Sequence, residues 1–464
     1  MLRIGATAIL FFSAASLLLG YASAQTRSTV RLDPISCSPA PCVLPPTQAS
    51  EGGAEVIDAP IAADPLNSNH LLLGSVDFNC SYSGFHVSQD GGSTWSVHCM
   101  PGINTRERLY IPGGEPMVGY DLNGVAYIAD GYGDSEGLGY GLIALQKSSD
   151  GVNWSPPRIA LGSPNMYRQP LYASLAVDRS AQSPYANNLY VSAVVLNEPL
   201  QNKNQVVVSH STDRGTNWKA VAVAPTQTSP AEDTFTALTI GKDGTVYLTW
   251  LYCPGSGLDA GCNNSRAYMV FSKSTDGGNT WSTPNLMTIV TMPFEWTLPN
   301  TTVSVDNYPA IGVDNSDGPY AGSLYVVMYN WTGTYLRVQV IHSTDGGSTW
   351  SKPVPVAPAS ANHDQFFPWL SVSPMGLVGV SWLDRRNDPA NVNYQAFAAI
   401  STDGGQSFRS NVQLTTAFSN PNDNNGSMGS YTGNTWAGPD FIAAWMDDSN
   451  SQYLQDVVGG IRLH

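Results

Sequence analysis

The chain has 464 residues, 42% hydrophobic and 12% charged, with 44 Gly, 32 Pro, 12 Trp and 22 Tyr. Ordinary soluble domains carry roughly 25% charged residues, so this deficit, with so many turn formers and rings, excludes coiled coils, charged helical bundles and disorder. The 36 acidic against 21 basic residues leave a formal charge of −15, which opposes nucleic acid and anionic lipid as partners.

Taken in chain order, residues 1–24 begin with Arg3, continue in an apolar run from Ala6 to Leu19 and end in Ala22, Ser23 and Ala24 before Gln25. This reads as a cleaved signal peptide, because the run is shorter than the ~20 residues a membrane-spanning helix needs. No later segment has the length and apolarity of a span. The expected protein is therefore secreted, extracellular or periplasmic, where disulfides persist. A β-like segment follows at Ser28 to Leu32. Cysteine spacing suggests three local bridges, Cys37 with Cys42, Cys80 with Cys99 and Cys253 with Cys262. No CxxC pair occurs, so a zinc site is not expected.

From residue 88 onward one pattern, SxDxGxxW, recurs six times: SQDGGSTW from Ser88, SSDGVNW from Ser148, STDRGTNW from Ser211, STDGGNTW from Ser274, STDGGSTW from Ser343 and STDGGQSF from Ser401. The second copy is one residue short and the sixth ends in Phe408. The aspartates, Asp90, Asp150, Asp213, Asp276, Asp345 and Asp403, lie 58 to 69 residues apart, close to one four-stranded propeller blade with its loops. An Asp carboxylate takes backbone amides just after it, Gly supplies the positive φ, and the ring folds back as an apolar plug. The acidic alternation and distal Glu of a calcium loop are missing, so these are structural turns.

Ahead of each turn lies an extended segment and then a β-branched, aromatic one, such as PMVGYDLNGVAYIAD from Pro116 and FTALTIGKDGTVYLTW from Phe235. Their alternation around Asn123–Gly124 and Asp243–Gly244 predicts antiparallel hairpins. Strand A of successive blades is expected near Pro60, Pro116, Pro170, Phe235, Pro309, Pro368 and Tyr431. The last unit lacks a strand D, and Ser28 to Leu32 could supply it, closing the ring and removing two sheet edges. The prediction is an all-β β-propeller of four-stranded antiparallel blades in one domain, residues 25–464. Seven blades are favoured over six.

Repeated SxDxGxxW turns on an exported all-β chain resemble the Asp-box, or bacterial neuraminidase repeat, proteins of the sialidase superfamily. The resemblance spans nearly the whole chain after residue 24 and implies a propeller. The turns would join strands C and D, on the face opposite the D–A and B–C loops, where a site is to be sought. Sialidases of the family clamp the substrate carboxylate with arginines, attack with a Tyr activated by a Glu, and use an Asp as acid or base. Arg106, Arg108, Arg168, Arg266, Arg385 and Arg386 fall in the site-side loops, with Arg108, Arg168, Arg385 and Arg386 as candidate substrate ligands. The alternative for Arg385 and Arg386 is pairing with Asp384 and Asp388 at the rim. Glu115, Glu232, Asp233, Glu295, Asp306, Asp364, Asp447 and Asp448 are carboxylates of the same face, and Tyr167, Tyr308 and Tyr431 its phenols. Among them Glu232 is the candidate activator of Tyr308 or Tyr431, with Asp364 as acid or base. His363 and the rings Phe366, Phe367 and Trp369 read as structural, whereas Trp296 and Trp331 could stack on a sugar.

The family's early [FY]RIP motif is absent; Tyr110, Ile111 and Pro112 echo it without the Arg. The leading expectation is a monomeric propeller acting on glycans, in its concrete form hydrolysing a terminal acidic sugar. The alternative is a noncatalytic propeller for adhesion, carbohydrate or protein binding. No cofactor motif occurs.

Overall fold

The computed structural model describes residues 41–80, 82–164, 168–197, 203–255, 266–408, 411–423, 427–450 and 452–463. They fold into seven antiparallel sheets, six of them built on four strands in chain order from the axis outward and the seventh on three such strands plus one from the start of the chain, with three single-turn 3₁₀ helices among the described residues. The inner strands are Val56–Ile57 with Ile61–Ala63, Met117–Tyr120, Arg168–Val177, Glu232–Ile240, Ala310–Val313, Gln365–Val372 and Gly433–Ala437. Each touches the next around the axis, and the seventh touches the first. The chain is a seven-bladed propeller, and the strand A positions expected from sequence fall at or beside these inner strands.

Because the blades stack face to face, second strands such as Leu71–Asp77 and Val378–Asp384 are buried at every position. Polar residues there must find partners inside. Trp250 and Trp382 donate their indole N–H to Asp233 at 2.8 Å and Asp384 at 2.7 Å.

The ring is closed by a strand from the start of the chain, at Cys42–Gln48. It pairs antiparallel with Gln455–Arg462, from Cys42 opposite Arg462 to Gln48 opposite Val457. Pro45 and Pro46 sit at a register shift between Leu44 and Thr47, where a bulge on an outer strand needs no N–H from them. The expected closing segment, Ser28 to Leu32, lies outside the described residues, as do residues 1–24. Cys80 and Cys99 are bridged. Cys42 and Cys253 are also disulfide-bonded, while their expected partners, Cys37 and Cys262, lie outside the described residues.

All six repeated turns join a third to a fourth strand. In every copy the Ser hydroxyl donates to the Asp carboxylate and accepts from a Gly N–H. At Asp345 the carboxylate also accepts from Thr349 N at 2.9 Å and Thr349 Oγ1 at 2.6 Å; these bonds favour the ionised form and hold its pKa down to about 2. The turns also bind blade to blade. Trp154 packs on Phe85 of the preceding blade at 4.4 Å and Trp350 on Phe271 at 5.5 Å. Lys147 and Lys273 donate to the carbonyls of Arg214 and Gly346 in the next turn, each at 2.8 Å.

The second glycine of the turn is squeezed by this packing. A Cβ on Gly347, whose φ is +85°, would lie 2.2 Å from Phe271 Cε1, whereas one on Gly322, φ +80°, would meet nothing within 4 Å. Gly322→Ala is expected to cost about 1 kcal/mol from φ alone. Gly347→Ala should cost about 1–3 kcal/mol more, since Phe271 must shift. Urea unfolding of the two variants against the parent checks the difference.

Candidate active site at the channel mouth

The inner strands start at the face opposite the repeated turns, and three of them bulge at the same level. Pairing registers shift between Leu171 and Ser174, Thr234 and Ala237, and Phe366 and Trp369. Tyr172, Phe235 and Phe367 sit in these bulges with φ of 56°, 53° and 45°, and in the first blade Asp58 has φ 62°. Left-handed backbone at non-glycine residues costs on the order of 1 kcal/mol each, and such strain gathers at functional sites. The cross-blade bonds that hold it recur: Thr236 Oγ1 donates to Tyr172 O at 2.9 Å and Thr432 Oγ1 to Phe367 O at 2.8 Å.

Above the bulges an aromatic layer crosses the axis. Ring centroids lie 4.6 Å apart for Tyr172 and Phe235, 4.9 Å for Phe235 and Tyr308, 5.1 Å for Tyr308 and Tyr431, and 5.5 Å for Tyr431 and Trp369. Tyr431 reaches the second blade, donating to Pro116 O at 2.8 Å.

Carboxylates gather on this layer. Glu115 accepts from Tyr308 Oη at 3.2 Å and from Ser430 Oγ at 3.4 Å. The segment before it is held by Gly113 N and Gly114 N, both 3.1 Å from Gly131 O. A Cβ on Gly114 would lie 2.6 Å from Gly131 Cα, so only glycine permits the approach that delivers Glu115 to the axis. Asp58 accepts from Ser430 N at 2.5 Å and Tyr431 N at 3.2 Å. Glu115, Asp306, Ser430 and Tyr172 are half-buried and so partly reachable by solvent, while Asp58 and Tyr308 are buried.

Burial dominates the electrostatics. It pushes Asp58 up to about 7, against the opposing Ser430 and Tyr431 amides and with the help of Asp306. Burial likewise raises Asp306 to about 6 and Asp130, beside Gly114, to about 7. Glu115 is held well above the usual carboxylate range by burial and then by the charges of Asp58 and Asp306. The Tyr308 phenol is also raised, first by burial and then by Glu115. The cluster thus stores protons near neutral pH, the property a general acid needs. Among the described residues no three His, Cys, Asp or Glu side chains are grouped to hold a metal ion.

Tyr308 and Tyr431 are at this site, but neither is hydrogen-bonded to Glu232. Tyr308 donates to Glu115 and Ala173 O, and Tyr431 to Pro116 O. Glu232 opens the fourth inner strand, half-buried, where its charge acts on Tyr172 and Asp233. Asp364 is fully buried and accepts from Leu336 N, Arg385 Nη1 and Asn391 Nδ2 at 2.8, 3.3 and 2.6 Å. Arg385, also fully buried, donates from Nη1 to Pro299 O at 2.7 Å and Asn391 O at 3.1 Å. It fastens three loops together. Arg386 pairs with Asp384 and covers the Phe397 ring at 4.3 Å. Arg108 lies 3.7 Å over the Tyr140 ring in the second blade, and Arg168 is exposed at the start of the third. The four arginines do not converge on Glu115 and Tyr308, and Tyr167 lies outside the described residues. Sequence reasoning passed over Glu115 and Asp58 as the centre; the visible signal was the GGEP step, Gly113 to Pro116, ahead of an inner strand.

No protein-family profile and no curated protein sequence matches this chain. Solved structures do match. A PL25 ulvan lyase bound to -[GlcA(1-4)Rha3S]- aligns with a TM-score of 0.52 at 12% identity, over 88% of this chain and 95% of its own. The Hadza microbial sialidase Hz136 aligns at 0.46 and 14%, over 93% and 98%. The Penicillium chrysogenum alpha-L-arabinanase with arabinobiose aligns at 0.48 and 13%, over 78% and 96%. At these identities the likeness is one of fold.

A native carboxyl whose pKa lies above its unfolded value binds its proton more tightly when folded, so its stabilisation is complete at low pH and is lost as pH climbs. For Asp58 and Asp130 the window runs from the ordinary value of about 4 to about 7. Buried His86, lowered to about 3, acts in the opposite sense, as do His98, His210 and His342, which burial also lowers, against the larger set of raised carboxylates. The urea midpoint is expected to fall between pH 4.5 and 7.5. Asp58→Asn keeps an acceptor for Ser430 and Tyr431, tolerates the left-handed backbone, and should flatten that decline.

Proposed function

We propose that the chain is an exported, monomeric glycan-acting propeller, a glycoside hydrolase whose acid–base pair is Glu115 and Asp306 at the channel mouth. The observation that carries this reading is the hydrogen bond from buried Tyr308 to half-buried Glu115, inside a set of carboxylates whose proton affinity burial has raised. Tyr308 and Ser430 fix the Glu115 carboxyl. A protonated carboxyl of the pair gives its proton to the glycosidic oxygen as the bond to the anomeric carbon breaks. The ionised partner takes a proton from the attacking water. Trp369 and Trp296, both half-buried at this end, offer faces for a sugar ring. Several fold neighbours are described as acting on glycans, in keeping with this class.

Hydrogen bonds to Glu115 and Asp58 come from Tyr308, Ser430 and Tyr431 and not from a lysine or arginine. That favours a neutral sugar, since an acidic one would meet ionising carboxylates without an arginine clamp. A second reading, sialidase-like removal of a terminal acidic sugar, is supported by the same Tyr308–Glu115 bond, with Tyr308 as nucleophile and Glu115 as its base.

A panel of aryl glycosides, neutral and sialylated, separates the readings. On a neutral substrate Glu115→Gln should lower kcat by about 10²–10⁴, and Tyr308→Phe by only about tenfold, because it loses a positioning bond. A loss of about 10³ or more in Tyr308→Phe, on sialosides alone, would establish Tyr308 as nucleophile. Glycan binding without turnover on any substrate would make the protein a binding propeller.

A further inference from the structure

The opposite face carries an asymmetry among the repeated turns. In the turn from Ser148 the Gly N–H that bonds the Ser hydroxyl is Gly151, immediately after Asp150; in the turn from Ser88 it is Gly92, one residue later. The second turn therefore lacks the first glycine. In the third turn that same position is filled by Arg214. The first glycines of the other turns, Gly91, Gly277, Gly346 and Gly404, have φ of 72°, 71°, 67° and 67°, and Arg214 adopts 57°. An arginine held in a backbone conformation that suits glycine, beside a shortened neighbour, marks a position where the side chain has a use.

Between these two turns lies a recess of about 390 Å³, lined among others by Tyr127, Lys147, Ser149, Asn153, Trp154 and Arg214, a volume suited to a sugar unit. Its charges are two cations over one buried anion. Arg214, about half-exposed, has Nε 3.6 Å from Asp121 Oδ2, and Asp121 is buried and also accepts from Tyr127 Oη at 3.2 Å. Lys147 Nζ donates to Arg214 O at 2.8 Å. The nearby carboxylates face their own turns: Asp150 accepts from the amides of Val152 and Asn153, and Asp213 from those of Thr216 and Asn217. Among the described residues the Nη atoms of Arg214 make no hydrogen bond. They leave a planar fork open for one carboxylate or sulfate group, with the Trp154 ring and the Ser149 hydroxyl beside it.

We propose that this recess between the second and third blades is a binding site for a singly charged acidic saccharide unit, separate from the channel mouth and independent of any turnover there. Its test is titration of the ¹⁵N-labelled protein, followed at the indole N–H of Trp154 (assigned with Trp154→Phe), with methyl glucuronoside, N-acetylneuraminate and methyl galactoside. Both acidic sugars are expected to shift that signal and the neutral one to leave it still. Arg214→Gly restores the residue that the other turns carry, so the variant should fold, and its affinity for the acidic sugars should fall roughly tenfold or more. Unchanged affinity in Arg214→Gly, equal response to methyl galactoside, or no response at Trp154 to any of the three would overturn the proposal. So would displacement of the sugar by inorganic sulfate at equal concentration, which would leave a bare anion site.

Discussion

Seven twisted sheets share one axis here, and the last is tied to the first by the pairing of residues 42–48 with 455–462. The strand completes the seventh sheet, and Thr47 Oγ1 reaches on to Gly92 O in the first blade's turn at 2.7 Å. Without it the outer edge of the seventh sheet would stand open, with its N–H and C=O groups unpaired. Closure also fixes the inner strands. Pulled into a complete ring, they bring the second, third, fifth and seventh blades within reach of one another across the axis, as the bonds from Tyr308 and Tyr431 show.

What the ring holds at its mouth would be unfavourable in a looser scaffold. Asp58, Glu115 and Asp306 share a poorly solvated space, and the backbone at Asp58, Tyr172, Phe235 and Phe367 is left-handed. Each feature opposes folding, and each persists because interblade packing over-determines it. Such an arrangement has a chemical consequence that a surface carboxylate lacks: burial and its neighbours move its pKa upward, so it exchanges its proton closer to neutral pH.

The fold was legible in the sequence because its decisive information is local. Ser, Asp, Gly and an aromatic ring within eight residues encode one turn, and six such turns at blade spacing encode the ring. The closing strand was not legible at its true place: Pro45 and Pro46 read against a strand, and only the bulge opposite the chain's far end makes room for them. The site was half legible. Tyr308 and Tyr431 were readable as phenols heading inner strands, but the partner of Tyr308 is 193 residues away in sequence and no local pattern links them. Among the partners of the arginines, Pro299 is likewise remote in sequence. Arg385 and Arg386 look available in LDRRNDP, yet Arg385 is claimed by Asp364, Pro299 and Asn391, three segments that meet only in the folded ring.

The two faces then differ in electrostatic character for a structural reason. On the turn face the aspartates are wrapped by N–H and O–H donors, so Asp213, Asp276 and Asp345 are held down to about 2 and stay ionised. At the mouth burial outweighs the donors and the carboxylates are raised instead. One residue type therefore serves as a fixed charge at one end of the ring and as a proton reservoir at the other. The balance between burial, which raises each carboxylate, and the hydrogen bonds it receives, which lower it, decides which. A ligand at the mouth meets groups whose charge it can change by binding. One at the turn face meets charges that do not vary above about pH 4, so recognition there must come from what departs from the repeat.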